Sequence, residues 1–153
     1  MISIEVVSEE KNWSKKIKKK EVFFRSICKS FPKKYKFLNK KVFLTLLLSN
    51  NKNIKRLNKK FRNKNKPTDI LSFPFDNKIK IKDKVYLGDI AISYNFMDKP
   101  KKQKINFFKE KVIKTFIHGF LHLLSFDHVK LGDYKKMLNE EQNIYRSVIK
   151  KID

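Results

Sequence analysis

The segment from residue 105 to residue 128 constrains this chain most, because a helical apolar repeat and all three histidines fall within it. Apolar or small residues recur there every three or four positions, the spacing of one helix face. These positions are Ile105, Phe108, Val112, Phe116, Gly119 and Leu123. The pattern predicts an amphipathic helix whose apolar face must be covered by other elements of the core.

The histidines of this segment have the spacing of metal ligands. His118 and His122 are four residues apart, so on a helix both side chains can point at one spot. Two imidazoles placed in this way can share one zinc ion at Zn–N distances of about 2.0–2.1 Å. His128 can return to the same spot if the helix ends near Ser125. Three nitrogen ligands leave a tetrahedral zinc with one open position, which is typical of a catalytic site.

The ligand spacing alone does not decide the chemistry. Zinc peptidases of the metzincin type use the same intervals of four and six residues, but they carry a Glu general base directly after the first histidine. Gly119 occupies that position here. The peptidase base is therefore missing, although a peptidase-like zinc hydrolase remains the alternative that shares the ligand spacing.

The sequence of residues 118–128 resembles the motif His-Gly-x-Leu-His-Leu-x-Gly-Tyr-Asp-His of the YbeY-type bacterial endoribonucleases. The chain departs from that motif at Ser125, where the family has Gly, and at Phe126, where it has Tyr. If Ser125 keeps the conformation of the family glycine, it has a positive φ that turns the chain back toward His128. The matching residues are His118, Gly119, Leu121, His122, Leu123, Asp127 and His128.

Two further segments resemble the same family. Residues 62–74 are similar to its Arg-Gly-x-x-x-Pro-Thr-Asp-Val-Leu-Ser-Phe-Pro, with Asn63 in place of Gly, and residues 87–90 match its Leu-Gly-Asp-Ile. The resemblance implies that Arg62 is functional and that it stabilises charge on a phosphate. Without the resemblance, Arg62 would be read as an ordinary cation at a helix end. Asp89 is a candidate hydrogen-bond partner for a zinc-bound histidine, or else a turn or surface residue.

The resemblance implies a metal-dependent endoribonuclease that cleaves single-stranded RNA. Its expected roles are ribosomal RNA maturation at the 16S 3′ end and ribosome quality control, with the ribosome or ribosomal proteins as partners. The proton acceptor is unassigned, because Asp127 can equally orient His128 or cap the turn. A non-catalytic, ribosome-associated protein with a structural metal is a further alternative, and it requires a closed metal shell.

Composition permits RNA binding without proving it. The net charge of +23 suits a phosphate-binding surface, but only four of the 38 basic residues are Arg, so part of this charge reflects a bias toward Lys. Cys28 is the single cysteine and permits no internal disulfide. The longest apolar run, residues 42–48, is far shorter than the roughly 20 residues that span a bilayer. The start lacks the pattern of a secretory signal, so we expect a cytoplasmic protein without membrane contact.

The order of elements predicts the fold class. Strands are expected at 2–7, 42–49, near 70–73 and at 86–93. Helices are expected at 13–30, from Asn50 or Asn51 to about Arg62, over the histidine segment, and after a capping Asp133. This order predicts one α/β (α+β) domain over residues 1–153, with a single-layer mixed β-sheet of about four strands covered by helices. The metal site lies on a helix in the C-terminal half, and the oligomeric state is left open.

Overall fold

The computed structural model describes residues 1–75, 80–81, 84–126 and 130–152; of residues 80 and 81 it describes the backbone alone. The strands are β1 (Ile2–Ser8), β2 (Val42–Ser49), β3 (Ile70–Pro74), β4 (Lys80–Ile81) and β5 (Lys84–Ser93). The helices are α1 (Trp13–Lys16), α2 (Lys20–Lys29), α3 (Asn51–Arg62), α4 (Tyr94–Met97), α5 (Ile105–Leu123) and α6 (Leu131–Ile152), with a 3₁₀ turn at Lys33–Tyr35.

The sheet is mixed, and its main strands lie in the order β1-β2-β5-β3. β1, β2 and β5 run parallel, whereas β3 pairs antiparallel with β5 and forms an edge; β4 adds two residues to β5. This arrangement confirms the predicted mixed sheet of about four main strands covered by helices. It also places β3, which belongs to the family-like segment 62–74, at an edge of the sheet that can border a cleft.

The two faces of the sheet are covered unequally. Alternate residues of β2 are fully buried on one face, where α2, α5 and α6 pack in the main core. Large aromatic side chains fill this layer, because they remove much apolar area from water: Phe24, Phe31, Phe108, Phe116 and Phe120. α3 covers the opposite face over a smaller cluster that contains Ile54, Leu71 and Ala91. The main core therefore holds α5, the histidine helix, firmly against the sheet.

Three local features of the sequence have a structural role. The Asn50 side chain accepts a hydrogen bond from the Asn53 amide at 2.9 Å and caps α3, and Asn63 ends that helix in the left-handed conformation with φ 56°. Gly88 has φ +138°, and a Cβ atom there would lie 2.3 Å from the Phe73 carbonyl oxygen. Glycine is thus required where the end of β3 pairs closely with β5.

Two predicted helix boundaries are wrong. The single helix expected over residues 13–30 is two helices, because Ile17 is extended and residues 17–19 separate α1 from α2. Trp13 anchors the first helix by donating its indole N–H to the Ser49 carbonyl at 2.9 Å, while the lysines that follow offer no apolar side chain to continue the buried stripe. The last helix starts at Leu131, two residues before the expected cap. Asp133 lies within its first turn, where the helix dipole favours a carboxylate.

Candidate metal centre

The histidine helix approaches the edge strand at Gly119. A Cβ atom at this position would lie only 2.5 Å from Ile70 Cδ1 and 3.1 Å from Ser72 Oγ, and the Ser72 hydroxyl donates a hydrogen bond to the Gly119 carbonyl at 3.1 Å. The contact holds the end of α5 beside β3. Because position 119 faces the sheet, a Glu there would meet β3 instead of reaching a metal beside His118.

The structure brings His118 and His122 together as the spacing predicts. Their Nε2 atoms lie 3.1 Å apart. Each Nδ1 atom has its own partner on the far side of the ring: the Glu141 carboxylate lies 2.5 Å from His118 Nδ1, and the Phe126 carbonyl lies 2.9 Å from His122 Nδ1. The two Nε2 atoms therefore face a shared space, and a contact at Nδ1 orients each ring from its opposite side.

The hydrogen bonds select the tautomers that bind a metal. A carbonyl oxygen can only accept, so His122 Nδ1 carries the proton and its Nε2 presents a lone pair. The Glu141 carboxylate favours the same tautomer for His118. Two nitrogens at 2.0–2.1 Å from a tetrahedral ion are about 3.3 Å apart, close to the 3.1 Å observed. The residues present fit a metal held between the two rings.

The third predicted ligand, His128, and its neighbour Asp127 lie outside the described residues. Among the residues that are described, no group of three or more His, Cys, Asp or Glu side chains surrounds a common point. The structure thus describes two of the three predicted ligands at one spot and leaves the third as a prediction.

The turn after the histidine helix has the predicted conformation. Ser125 has φ 73°, in the left-handed region that favours glycine. The Phe126 amide donates to the Leu121 carbonyl at 3.1 Å, and the Phe126 carbonyl faces His122 Nδ1. The reversal at Ser125 therefore brings the Phe126 carbonyl back to His122, whose ring it orients.

Arg62 lies across a cleft from the histidines. The cleft encloses about 750 Å³, and Arg62, Ser72, His118 and His122 are among its lining residues; we call it the histidine cleft. Arg62 Nη2 donates to the Ser72 carbonyl at 2.8 Å, and its guanidinium carbon lies 5.8 Å from the centre of the Phe73 ring. These contacts fix an exposed guanidinium at the cleft and leave other N–H groups available for an anion.

Glu141 is a site residue that the sequence did not reveal. It lies on α6, 23 residues after His118, and no local motif distinguishes it from the adjacent Glu140. Glu140 instead accepts from the Tyr35 hydroxyl at 2.6 Å and from Lys34 at 3.1 Å. The hydrogen bond from Tyr35 lowers the pKa of Glu140. These contacts tie α6 to the segment that contains Lys34 and Tyr35, whereas Glu141 faces His118.

Among the described residues, Asp89 orients neither His118 nor His122, whose Nδ1 atoms have other partners. Its carboxylate accepts a hydrogen bond from the Tyr86 hydroxyl, and burial together with this bond raises the pKa of Tyr86 to about 12. Asp89 pairs across the sheet with Thr45, whose hydroxyl contacts the same tyrosine at 3.2 Å. The carboxylate therefore belongs to a polar cluster on the sheet, together with Tyr86 and Thr45.

Comparison with known proteins extends the local match to the whole chain. The family model described as Endoribonuclease YbeY matches residues 5–149. The Endoribonuclease YbeY of Pelagibacter ubique (strain HTCC1062) is 64% identical over 152 residues, which cover 99% of each chain. That of Sulfurihydrogenibium sp. (strain YO3AOP1) is 37% identical over 134 residues, which cover 82% of this chain and 87% of the relative.

The fold is also found among solved structures. A solution structure of a Thermotoga maritima protein superposes with a TM-score of 0.60 at 25% identity, covering 95% of this chain and 89% of that chain. In the part of the chain that the structure describes, no helix is long and apolar enough to cross a membrane. The full-length family match and the near-complete coverage of its relatives show that the chain belongs to the YbeY family of endoribonucleases.

Proposed function

We propose that this protein is a single-domain, zinc-dependent endoribonuclease that holds one zinc ion through His118, His122 and His128. The observation that carries the proposal is the pair of Nε2 atoms that face each other in a cleft shared with Arg62. In the tautomers that the Nδ1 partners favour, both nitrogens present lone pairs toward the same space, an arrangement that a bound cation stabilises. Zinc suits imidazole ligands, and three of them leave one position open.

The zinc ion, when bound, supplies a water of lowered pKa and polarises a phosphoryl oxygen. The chain supplies orientation and charge. Glu141 and the Phe126 carbonyl hold the two described histidine rings in their metal-binding tautomers. Arg62 binds the phosphate opposite the histidines and stabilises the extra negative charge of the transition state through its remaining N–H donors.

The proposed substrate is single-stranded ribosomal RNA, in the maturation of the 16S 3′ end and in ribosome quality control. Lys64 and Lys66 line the histidine cleft together with Arg62, so cations follow one of its walls and suit a phosphate backbone. We infer a cytoplasmic protein that works with the ribosome or its proteins, since precursor ribosomal RNA is found there. The family to which the chain belongs supports the nuclease class.

The alternative functions fit the site less well. A peptidase needs a general base after the first histidine, and the contact of Gly119 with β3 leaves no room for one. A closed structural zinc needs a fourth ligand, and Cys28 is a poor source. It is buried in α2, and burial raises the pKa of its thiol to about 12, whereas zinc binds the thiolate.

The test is cleavage of RNA by protein purified without chelator. We expect cuts in unstructured RNA and in the single-stranded 3′ end of precursor 16S RNA, little cleavage of a duplex, and loss of activity when the metal is removed and recovery when zinc is returned. The control is a casein digest under the same conditions. Proteolysis without RNA cleavage, or RNA cleavage that survives complete metal removal, would contradict the proposal.

A further inference from the structure

We propose that the protein has a second RNA-binding surface, separate from the histidine cleft, which holds the phosphate backbone of the substrate strand beyond the cleavage site. The surface is a groove of about 1000 Å³ between α1, α2, the first half of α5 and the last turn of α6. We call it the lysine groove. The proposal rests on the proposed function, because it assigns this groove to the same RNA.

Lysines from four separate parts of the chain converge on the groove. Four of them lie on α1 and in the turn that follows it: Lys15, Lys16, Lys18 and Lys19. Lys29 of α2, Lys109 of α5 and Lys151 of α6 add three more from other directions. A lysine bias along the sequence spreads charge over all surfaces, whereas here the folding of distant segments concentrates seven cations around one concavity.

Within the described part of the chain, few carboxylates lie near the groove lysines. Glu110 is the only carboxylate among the described lining residues. Among the described residues, only Lys16 of the seven lysines has a carboxylate within 4.0 Å, that of Asp98 at 3.8 Å. Like charges gathered around a concave surface raise the local potential and attract a polyanion.

The floor of the groove suits a nucleic-acid strand. Phe23 is half-buried there, with the Lys109 ammonium 6.0 Å from its ring centre. Aromatic rings beside cations provide a stacking surface for bases while the cations contact phosphates. The groove therefore offers both kinds of contact that single-stranded RNA uses.

The distance between the two cavities sets a length requirement. Lys109 and His122 are 13 residues apart on α5, which corresponds to about 20 Å along the helix. A stacked strand advances about 3.4 Å per nucleotide, so the two sites are at least about six nucleotides apart. A short RNA that occupies the histidine cleft cannot reach the lysine groove, whereas a strand of 20 nucleotides can occupy both.

The experiment compares two triple variants of equal charge. Lys15→Gln, Lys18→Gln and Lys19→Gln alter the groove, and Lys52→Gln, Lys55→Gln and Lys59→Gln alter the exposed side of α3, which covers the opposite face of the sheet. All six side chains are exposed, so both variants should keep the fold. Binding of an unstructured, labelled 20-nucleotide RNA is measured by anisotropy from low to high salt, with chelator present so that no cleavage is needed.

We expect the groove variant to bind the 20-nucleotide RNA about tenfold more weakly than the α3 variant at low salt. Its dependence of log K on log salt should be shallower by about 2, since each lost contact to single-stranded RNA removes about 0.7. In cleavage assays with zinc, the groove variant should need more of the long RNA for half-saturation and keep the maximal rate.

Equal affinities and salt slopes in the two triple variants would overturn the proposal. They would show that the groove lysines contribute no more to RNA binding than lysines elsewhere on the surface. The same titration is repeated with a polyglutamate peptide, which represents an acidic protein segment as the alternative ligand of the groove. Groove-dependent binding of the peptide with groove-independent binding of RNA would assign the groove to an acidic protein segment and also overturn it. Groove-dependent RNA binding by a wild-type protein that never cleaves RNA would contradict only the proposed nuclease function.

Discussion

The two cavities at opposite ends of α5 are built in different ways. In the histidine cleft, His118, His122 and Arg62 each have a hydrogen-bond partner at a defined distance. In the lysine groove, six of the seven lysines have no carboxylate within reach among the described residues. The histidine cleft is thus defined by individual hydrogen bonds, whereas the lysine groove is defined by the number of positive charges around it.

The type of cation follows the same division. The cleft uses Arg62, whose planar guanidinium can bond Ser72 with one N–H and keep others for a phosphate. The groove uses only lysines, whose ammonium groups act as flexible point charges. Single substitutions should therefore have large effects in the cleft, while the groove should respond mainly to the number of charges removed.

Gly119→Glu should have the largest effect. The new Cβ must displace Ile70, and the carboxylate must be buried against β3, so the free energy of unfolding should fall by about 3 kcal/mol or more. Gly119→Ala, the control, adds only the Cβ and should cost less. Urea unfolding measures both. A Glu variant as stable as the wild type would show that this end of α5 is loosely packed, like the groove.

Arg62→Lys should keep the fold, the zinc content and most of the RNA affinity, because one cation replaces another. Single-turnover cleavage should nevertheless fall about 100-fold, or about 2.7 kcal/mol, the scale of losing one positioned donor to a transition state. Arg56→Lys, on the exposed side of the same helix, is the matched control and should cleave normally. Full activity of the Arg62 variant would make this residue an ordinary helix-end cation.

Glu141→Gln should weaken zinc binding 10- to 100-fold, because it removes the charge that orients and polarises His118. Competition with a chromophoric chelator measures the affinity without any RNA.

The adjacent Glu140→Gln is the control for this change, and zinc affinity should be unaffected. It should lower stability instead, and only above acid pH. Hydrogen bonding lowers the pKa of Glu140 below its ordinary value of 4.5. Its stabilising effect is therefore present above that value and is lost as the pH falls through the lowered pKa. Equal zinc affinities in the two variants would remove Glu141 from the metal centre.

Ser125→Gly should have the smallest effect. Glycine adopts the positive φ of this turn without the Cβ strain, so stability should stay unchanged or rise by about 1 kcal/mol, with zinc retained. Ser125→Ala keeps a Cβ and should not gain this stability. Thermal melts compare the three proteins. A melting temperature several degrees lower for the glycine variant would mean that the serine hydroxyl stabilises the turn.

The strongest sequence signals were local ones. The apolar repeat placed α5, the largely apolar run 42–49 placed β2, and Asn50 and Ser125 marked a helix cap and a left-handed turn that the structure contains. Each of these signals depends on residues that are close in sequence. The fold class followed from them because strands and helices in this order can bury their apolar faces in few other ways.

The features that the sequence did not reveal depend on distant neighbours. Glu141 meets His118 only because α6 packs beside α5, and Glu140 would have matched any local rule equally well. The break between α1 and α2 depends on Trp13, which bonds β2 at Ser49. The lysine groove was hidden for the same reason: each of its lysines resembles a solvated residue until four separate segments bring them together.

The most direct test of the account is the zinc content of protein purified without chelator, measured on the wild type and on the His118→Ala, His122→Ala double variant. The wild type should contain about one zinc per chain, because two lone pairs face one space in the histidine cleft and His128 is the predicted third ligand. The folded double variant should contain almost none. One zinc per chain in that variant would place the metal elsewhere and contradict the proposed site.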